Sequence, residues 1–167
     1  MSNAQPAWDD LADFVEAPHL HRTTGYMYGV DSFQDGPCAR SYDPWEHADM
    51  LDLPVIFRDL PDENMVAAYS HLHGVVFVRP NLHSATERCA LTHEIVHFEN
   101  HDVGTTKAQE DRADRIAARR LIRPSQIDRL YGLTEDPAVI ALELNVTEKV
   151  MRTFMRMVRQ GRISRYA

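Results

Sequence analysis

The organisation of the chain is read most directly from Ser84-Ala-Thr-Glu-Arg-Cys-Ala-Leu-Thr-His-Glu-Ile-Val-His-Phe-Glu-Asn-His101. Ser84 and Glu87 have capping-box spacing: the hydroxyl can accept from the backbone N–H three residues on, and the carboxylate can reach back. This predicts a helix over 85–101 that stops before Asp102-Val103-Gly104-Thr105. Mid-way along it lies His93-Glu94-Ile95-Val96-His97. Residues four apart stand one turn above each other on a helix face, so the two imidazoles can meet one ion. Glu94 falls on the adjacent strip, within reach of a water on that ion without being a ligand. Zinc with an open position brings the pKa of such a water to about 7, and a neighbouring carboxylate can take its proton as it attacks a peptide carbonyl. With nine His and ten Glu in 167 positions, chance supplies about 0.03 such pentads, so two unrelated surface histidines are the poorer reading.

Several residues compete for the third ligand. His101 continues the 93/97 face, but ligands at i, i+4 and i+8 on a straight helix span about 12 Å, too far for bonds of about 2.1 Å to one ion. It reads better as a helix-end residue at the carboxyl pole. A metzincin-like continuation would need His at position 103, where Val103 stands. Glu110 is the better choice, with Asp114 as the alternative. Thr106-Lys-Ala-Gln109 is a second capping box opening a helix to about Arg123, before Pro124, and Glu110 sits in its first turn. The intervening loop is long enough to fold this helix back on the first. Asp114, one turn later, is placed to hydrogen-bond the outer nitrogen of a ligating histidine. Ala113, Ala117 and Ala118 are small enough for close helix packing.

Outward from this pair, Pro54-Val55-Ile56-Phe57, Met65 to Tyr69 and Val75 to Arg79 read as strands of a small antiparallel sheet, with His73-Gly74 as a turn. Three shorter helices are expected after Pro124. The first is Ser125 to Tyr131. The second is Pro137 to Leu144, with Asp136 as N-cap and Pro at the first helical position. The last runs from the Thr147 cap to about Gln160, with Gly161 past its end. The fold class is therefore α+β. The first 45 residues are the least readable, with a short helix over Asp10–Glu16 and a strand within His21–Phe33 as expectations.

The segments Glu87-Arg-Cys-Ala-Leu-Thr-His-Glu-Ile-Val-His-Phe and Glu110-Asp-Arg-Ala-Asp-Arg-Ile-Ala-Ala-Arg-Arg-Leu-Ile-Arg-Pro124 resemble the ImmA/IrrE family of zinc metallopeptidases, common in phages and mobile elements. The resemblance covers roughly residues 50–160. It implies His93, His97 and Glu110 as Zn²⁺ ligands, Glu94 as general base, and Asp114 as the gluzincin-like partner of a ligating histidine. It implies a protein or peptide substrate, with a transcriptional regulator as the family-level expectation, and the strand at Val75–Arg79 as an edge on which an extended substrate could pair. The chain then divides into an N-terminal segment (1–50), a metallopeptidase core (51–132) and a helical, helix-turn-helix-like extension (133–167).

Composition narrows the classes. Hydrophobic residues make up 44% and charged residues 26%, the balance of a folded globular chain. No apolar run approaches the roughly 20 residues of a membrane helix, and Asp9, Asp10, Asp13 and Glu16 stand where a secretory signal would be basic. A cytoplasmic protein with no membrane partner is expected. Two cysteines, Cys38 and Cys89, do not make a disulfide scaffold. The net charge of −7 argues against wholesale nucleic-acid binding, yet Lys149 to Ala167 holds six basic and no acidic residues, leaving −13 on the rest. In the last helix Lys149, Arg152, Arg156 and Arg159 form a basic stripe. Residues 137–165 could place it on DNA phosphates, but a helical cap on the core is the preferred reading. Cys89 is read as a buried thiol, and His71 and His73 as turn residues. Tyr26, Tyr28 and Tyr69 are equivalent candidates for an oxyanion donor. Arg112, Arg115, Arg119, Arg120 and Arg123 are expected on a solvated face.

Overall fold

The computed structural model describes residues 41–163 apart from 105, 132 and 133. The expected helix over Asp10–Glu16, the strand within His21–Phe33, and Tyr26 and Tyr28 lie outside the described residues.

Asp43 accepts from the Trp45 N–H at 2.9 Å, and Pro44 supplies the first helical position of α1 (Pro44–Met50). Three strands follow, β1 (Val55–Phe57), β2 (Ala67–Ser70) and β3 (Val75–Val78). Five helices complete the described chain: α2 (Ser84–Glu99), α3 (Lys107–Leu121), α4 (Pro124–Tyr131), α5 (Pro137–Glu143) and α6 (Glu148–Arg159). No described helix is long and apolar enough to cross a membrane.

The α+β class agrees with the sequence reading, and two details of the sheet differ from it. The strand order is β1-β3-β2, with β2 antiparallel to β3 and β1 parallel to it. The chain leaving β1 crosses to the far edge before β2, so β3 returns between them in the direction of β1. The strand expected at an edge is therefore the central one. Val76, Phe77 and Val78 are 0%, 5% and 0% exposed, the unbroken burial of a strand covered on both faces.

Among the described residues no strand pairs with the outer side of β2, which is an edge of the sheet. The Arg79 N–H donates to the Val66 carbonyl at 2.9 Å, which makes those two a hydrogen-bonded pair. Antiparallel pairs alternate, so with Ala67 opposite Val78 and Tyr69 opposite Val76, the main-chain groups of Ala67 and Tyr69 point away from the sheet.

α2 lies between two cores. Leu91 and Ile95 pack with Ala48, Leu53, Ala67, Val76 and Val78 under the sheet. On its other side Cys89 joins Ala117, Ala118 and Leu121 of α3, Ile140 of α5 and Met151, Phe154 and Met157 of α6. Ala113, Ala117 and Ala118 are buried, and their small side chains let α2 and α3 approach closely.

The helix ends are largely chemical in origin. Thr106 and Gln109 form the expected capping box of α3, Asp136 caps α5, and Thr147 caps α6. At α2 the cap is displaced by one residue. His83 Nδ1 accepts from the Ala85 N–H at 3.2 Å, while Ser84 becomes helical and donates its hydroxyl to Asn145 Oδ1 at 3.0 Å.

The arginine face of α3 is not all solvated. Arg120 pairs with Glu99 at 2.7 Å, and Arg112 hydrogen-bonds Asp102. Glu99 also lies 3.5 Å from His47, whose Nδ1 is 2.8 Å from the Tyr42 hydroxyl. Burial pushes the Tyr42 phenol up to about 12, so it stays protonated and can donate to His47.

Candidate metal centre

The spacing of α2 sets His93 and His97 one turn apart on one face, and their Nε2 atoms lie 3.0 Å from each other. The loop 100–106 turns the chain through the left-handed residues His101 (φ 51) and Gly104 (φ 76), and α3 then packs back along α2. This return brings Glu110 over the imidazole pair. Its two carboxylate oxygens lie 3.2 Å from His93 Nε2 and 3.3 Å from His97 Nε2. Ligand atoms of these three residues lie within 4.8 Å of one another.

The outer ring nitrogens decide the protonation pattern. His93 Nδ1 is 3.1 Å from Asp114 Oδ1, and His97 Nδ1 is 2.8 Å from Asp102 Oδ2. An ionised carboxylate only accepts, so each Nδ1 carries a hydrogen, and it is Nε2 of each ring that turns inward, as a lone-pair donor in the corresponding neutral tautomer. Two imidazole nitrogens and a carboxylate, all able to donate an electron pair, therefore converge. Such a triad calls for a cation. The spacing fits one: a tetrahedron with bonds of about 2.1 Å has edges of about 3.4 Å.

The surrounding charges point the same way. Burial alone would lower the His93 pKa, but hydrogen bonding to Asp114 and the nearby charges of Glu94 and Glu110 outweigh it, and the net direction is up. Asp114 is also desolvated, yet its bonds to His93 and Lys149 bring it down to about 2. Asp102 is 7% exposed. Its desolvation is outweighed by hydrogen bonds from Arg112, His97 and Gln109, which hold its pKa below the ordinary value.

Glu94 stands beside the triad and takes no part in it. Its Oε2 accepts from the outward-pointing N–H of Tyr69 at 2.8 Å, which ties the carboxylate to the open edge of β2. Burial pushes its pKa up, against the lowering influence of His93 and His97. A base of raised pKa next to a cation site is suited to moving a proton.

Of the two acidic candidates on α3, Glu110 faces the Nε2 side of the imidazoles and Asp114 the outer side of His93. His101 is exposed at the end of α2. Cys89 is buried, with its Sγ 3.3 Å from the Thr147 N–H. His71 and His73 are exposed in the β2–β3 turn, where His73 Nδ1 lies 2.8 Å from Ser70 Oγ and His71 Nδ1 3.4 Å from the Tyr69 hydroxyl.

Sequence reasoning missed two partners. Asp102 falls in the loop expected after the helix, and an acid just past the end of an HExxH helix is in reach of its last histidine. The Tyr69 N–H is a main-chain group with no sequence signature.

Comparison with known proteins agrees with this geometry. The chain matches the peptidase family described as the IrrE N-terminal-like domain over residues 48–155, a span holding every residue of the triad and its carboxylate partners. No curated protein and no solved structure matches the chain significantly. The match covers well over half of the chain, and the chain belongs to the IrrE N-terminal-like peptidase family.

Proposed function

We propose that the protein is a zinc-dependent endopeptidase that hydrolyses a peptide bond in a protein partner. The observation that carries this reading is the convergence of His93 Nε2, His97 Nε2 and the Glu110 carboxylate beside the Glu94 carboxylate at an open strand edge. Zinc held by His93, His97 and Glu110 would supply Lewis acidity and bring the pKa of water near neutrality.

The chain's own groups supply the rest. Glu94 takes a proton from the attacking water as the C–O bond forms, and returns it to the amine nitrogen as the C–N bond then breaks. The Tyr69 N–H fixes the carboxylate for this task. Asp102 and Asp114 keep both imidazoles in the tautomer that presents Nε2. Substrate lies in extended form along β2, paired with the outward main-chain groups of Ala67 and the Tyr69 carbonyl. A cytoplasmic transcriptional regulator is the substrate class suggested by the family.

The test is cleavage of an unfolded-protein or peptide mixture by zinc-loaded protein, read by mass spectrometry. Glu94→Gln should retain zinc while losing about a hundredfold or more of the cleavage rate. Equal cleavage by the wild type and Glu94→Gln would contradict the assignment. A cellular effect that survives Glu94→Gln would point instead to binding, with the exposed arginines of α6 as the surface to examine.

A further inference from the structure

α6 is anchored on α3 by Met151, Phe154 and Met157, which share a core with Ala117, Ala118 and Leu121. Its first turn comes to rest beside the middle of α3. There Lys149 reaches across and donates to Asp114 Oδ1 at 2.9 Å. The same oxygen is 3.1 Å from His93 Nδ1. An unbroken line of contacts thus runs from the surface of the last helix to the imidazole of the candidate metal centre. Other members of the basic stripe are engaged on their own helix: Arg152 with Glu148, and Arg159 Nε with the Met155 carbonyl at 3.4 Å.

We infer that Lys149 is a positioning residue for the metal centre, clamping the Asp114 carboxylate against His93 from the far side. This rests on the metal-dependent reading above. Asp114 is on α3, His93 on α2 and Lys149 on α6, so two donors fixed on two separate helices hold one oxygen of a side chain on a third. With both in place the carboxylate is biased toward His93, and the His93 ring is held with Nε2 toward Glu110 and His97. Without Lys149 one tether is left, and the ring gains freedom to swing off the converging geometry. The C-terminal helix on this account completes the centre from outside and is no separate appendage.

A stabilising role can be separated from a positioning one. The Lys149 side chain is 68% exposed, and an ion pair this open contributes little to folding. The experiment compares full-length wild type, Lys149→Met, Lys149→Arg and His97→Ala. It measures Zn²⁺ and Co²⁺ affinity by competition with a chromogenic chelator, the visible spectrum of the Co²⁺ form, and thermal unfolding without metal. Groups that orient metal ligands typically carry tenfold or more in affinity, and for a residue one contact further out we expect a loss of about threefold to tenfold in Lys149→Met. Its Co²⁺ spectrum should shift while metal-free unfolding stays put, and Lys149→Arg should recover affinity to within about twofold. Unchanged or tighter binding in Lys149→Met, with His97→Ala still abolishing binding, overturns the inference alone. Equal Co²⁺ binding by wild type and His97→Ala overturns the metal reading and this inference together.

Discussion

Asp102→Asn is the perturbation on which the geometry speaks most fully. The carboxylate is buried, with Oδ2 2.8 Å from His97 Nδ1 and Oδ1 3.1 Å from Gln109 Nε2, and Arg112 bonded to Oδ1 as well. Every neighbour is a donor, and the amide must present a donor to one side. If its nitrogen replaces Oδ2, His97 is driven to the other tautomer, with a hydrogen on Nε2 where a metal would bind. If it replaces Oδ1, Arg112 and Gln109 lose their acceptor. Unpairing a buried charged group costs about 3–5 kcal/mol, but Arg112 is 37% exposed and can turn to water, so about 2 kcal/mol is the expected loss. For a chain of this size that lowers the midpoint of thermal unfolding by about 4–8 °C. Zinc affinity should fall about 10–100-fold, as for other groups that orient a ligating histidine. The assay is calorimetric unfolding of metal-free protein together with chelator competition for zinc. A variant within a degree of wild type and within about twofold in affinity would mean that Asp102 neither holds Arg112 nor orients His97.

Other outcomes follow from the packing and the charges. Ile95 is 0% exposed between the metal-side residues of α2 and the sheet, so Ile95→Ala should cost about 2–5 kcal/mol in urea unfolding. Thr106→Ala removes one half of the α3 capping box and should cost about 1 kcal/mol by the same measurement. Burial, reinforced by Arg120 and opposed by Glu99, lowers the His47 pKa. A depressed folded value favours the neutral ring, so its stabilising contribution is complete above about pH 6.5 and is lost as the pH falls through the folded value. Between pH 7 and 5 the wild type should therefore lose stability relative to His47→Gln, and a constant difference would refute this. Burial also raises the Cys89 pKa, so in a Cys38→Ser background the native thiol should resist iodoacetamide at pH 8 until the protein is unfolded.

What could be read in advance was what a local pattern carries. The HExxH helix, the Thr106–Gln109 box, the Asp136-Pro137 start of α5 and the Val76–Val78 run each announce themselves within a few residues. The Asp43-Pro44 start of α1 has the same form as Asp136-Pro137, but it lies in a stretch without periodicity to follow it. What escaped depends on distant partners. Ser84 gave up its capping role because Asn145, 61 residues on, accepts its hydroxyl. The parallel pairing of β1 depends on the route taken by residues 58–66, which no periodicity records. Asp102 is the exception: its partner His97 stands close by in sequence, and an acid just past the end of the helix is itself a local signal. The site follows the same division: residue types and their helix were visible in the sequence, whereas the choice between Glu110 and Asp114 depended on how α3 packs.

The most direct test is elemental analysis of the protein purified without added metal, beside His97→Ala handled identically. The wild type should carry about one zinc per chain and the variant far less. Wild-type protein free of zinc and unable to take it up, or a variant that holds as much, would contradict the zinc assignment.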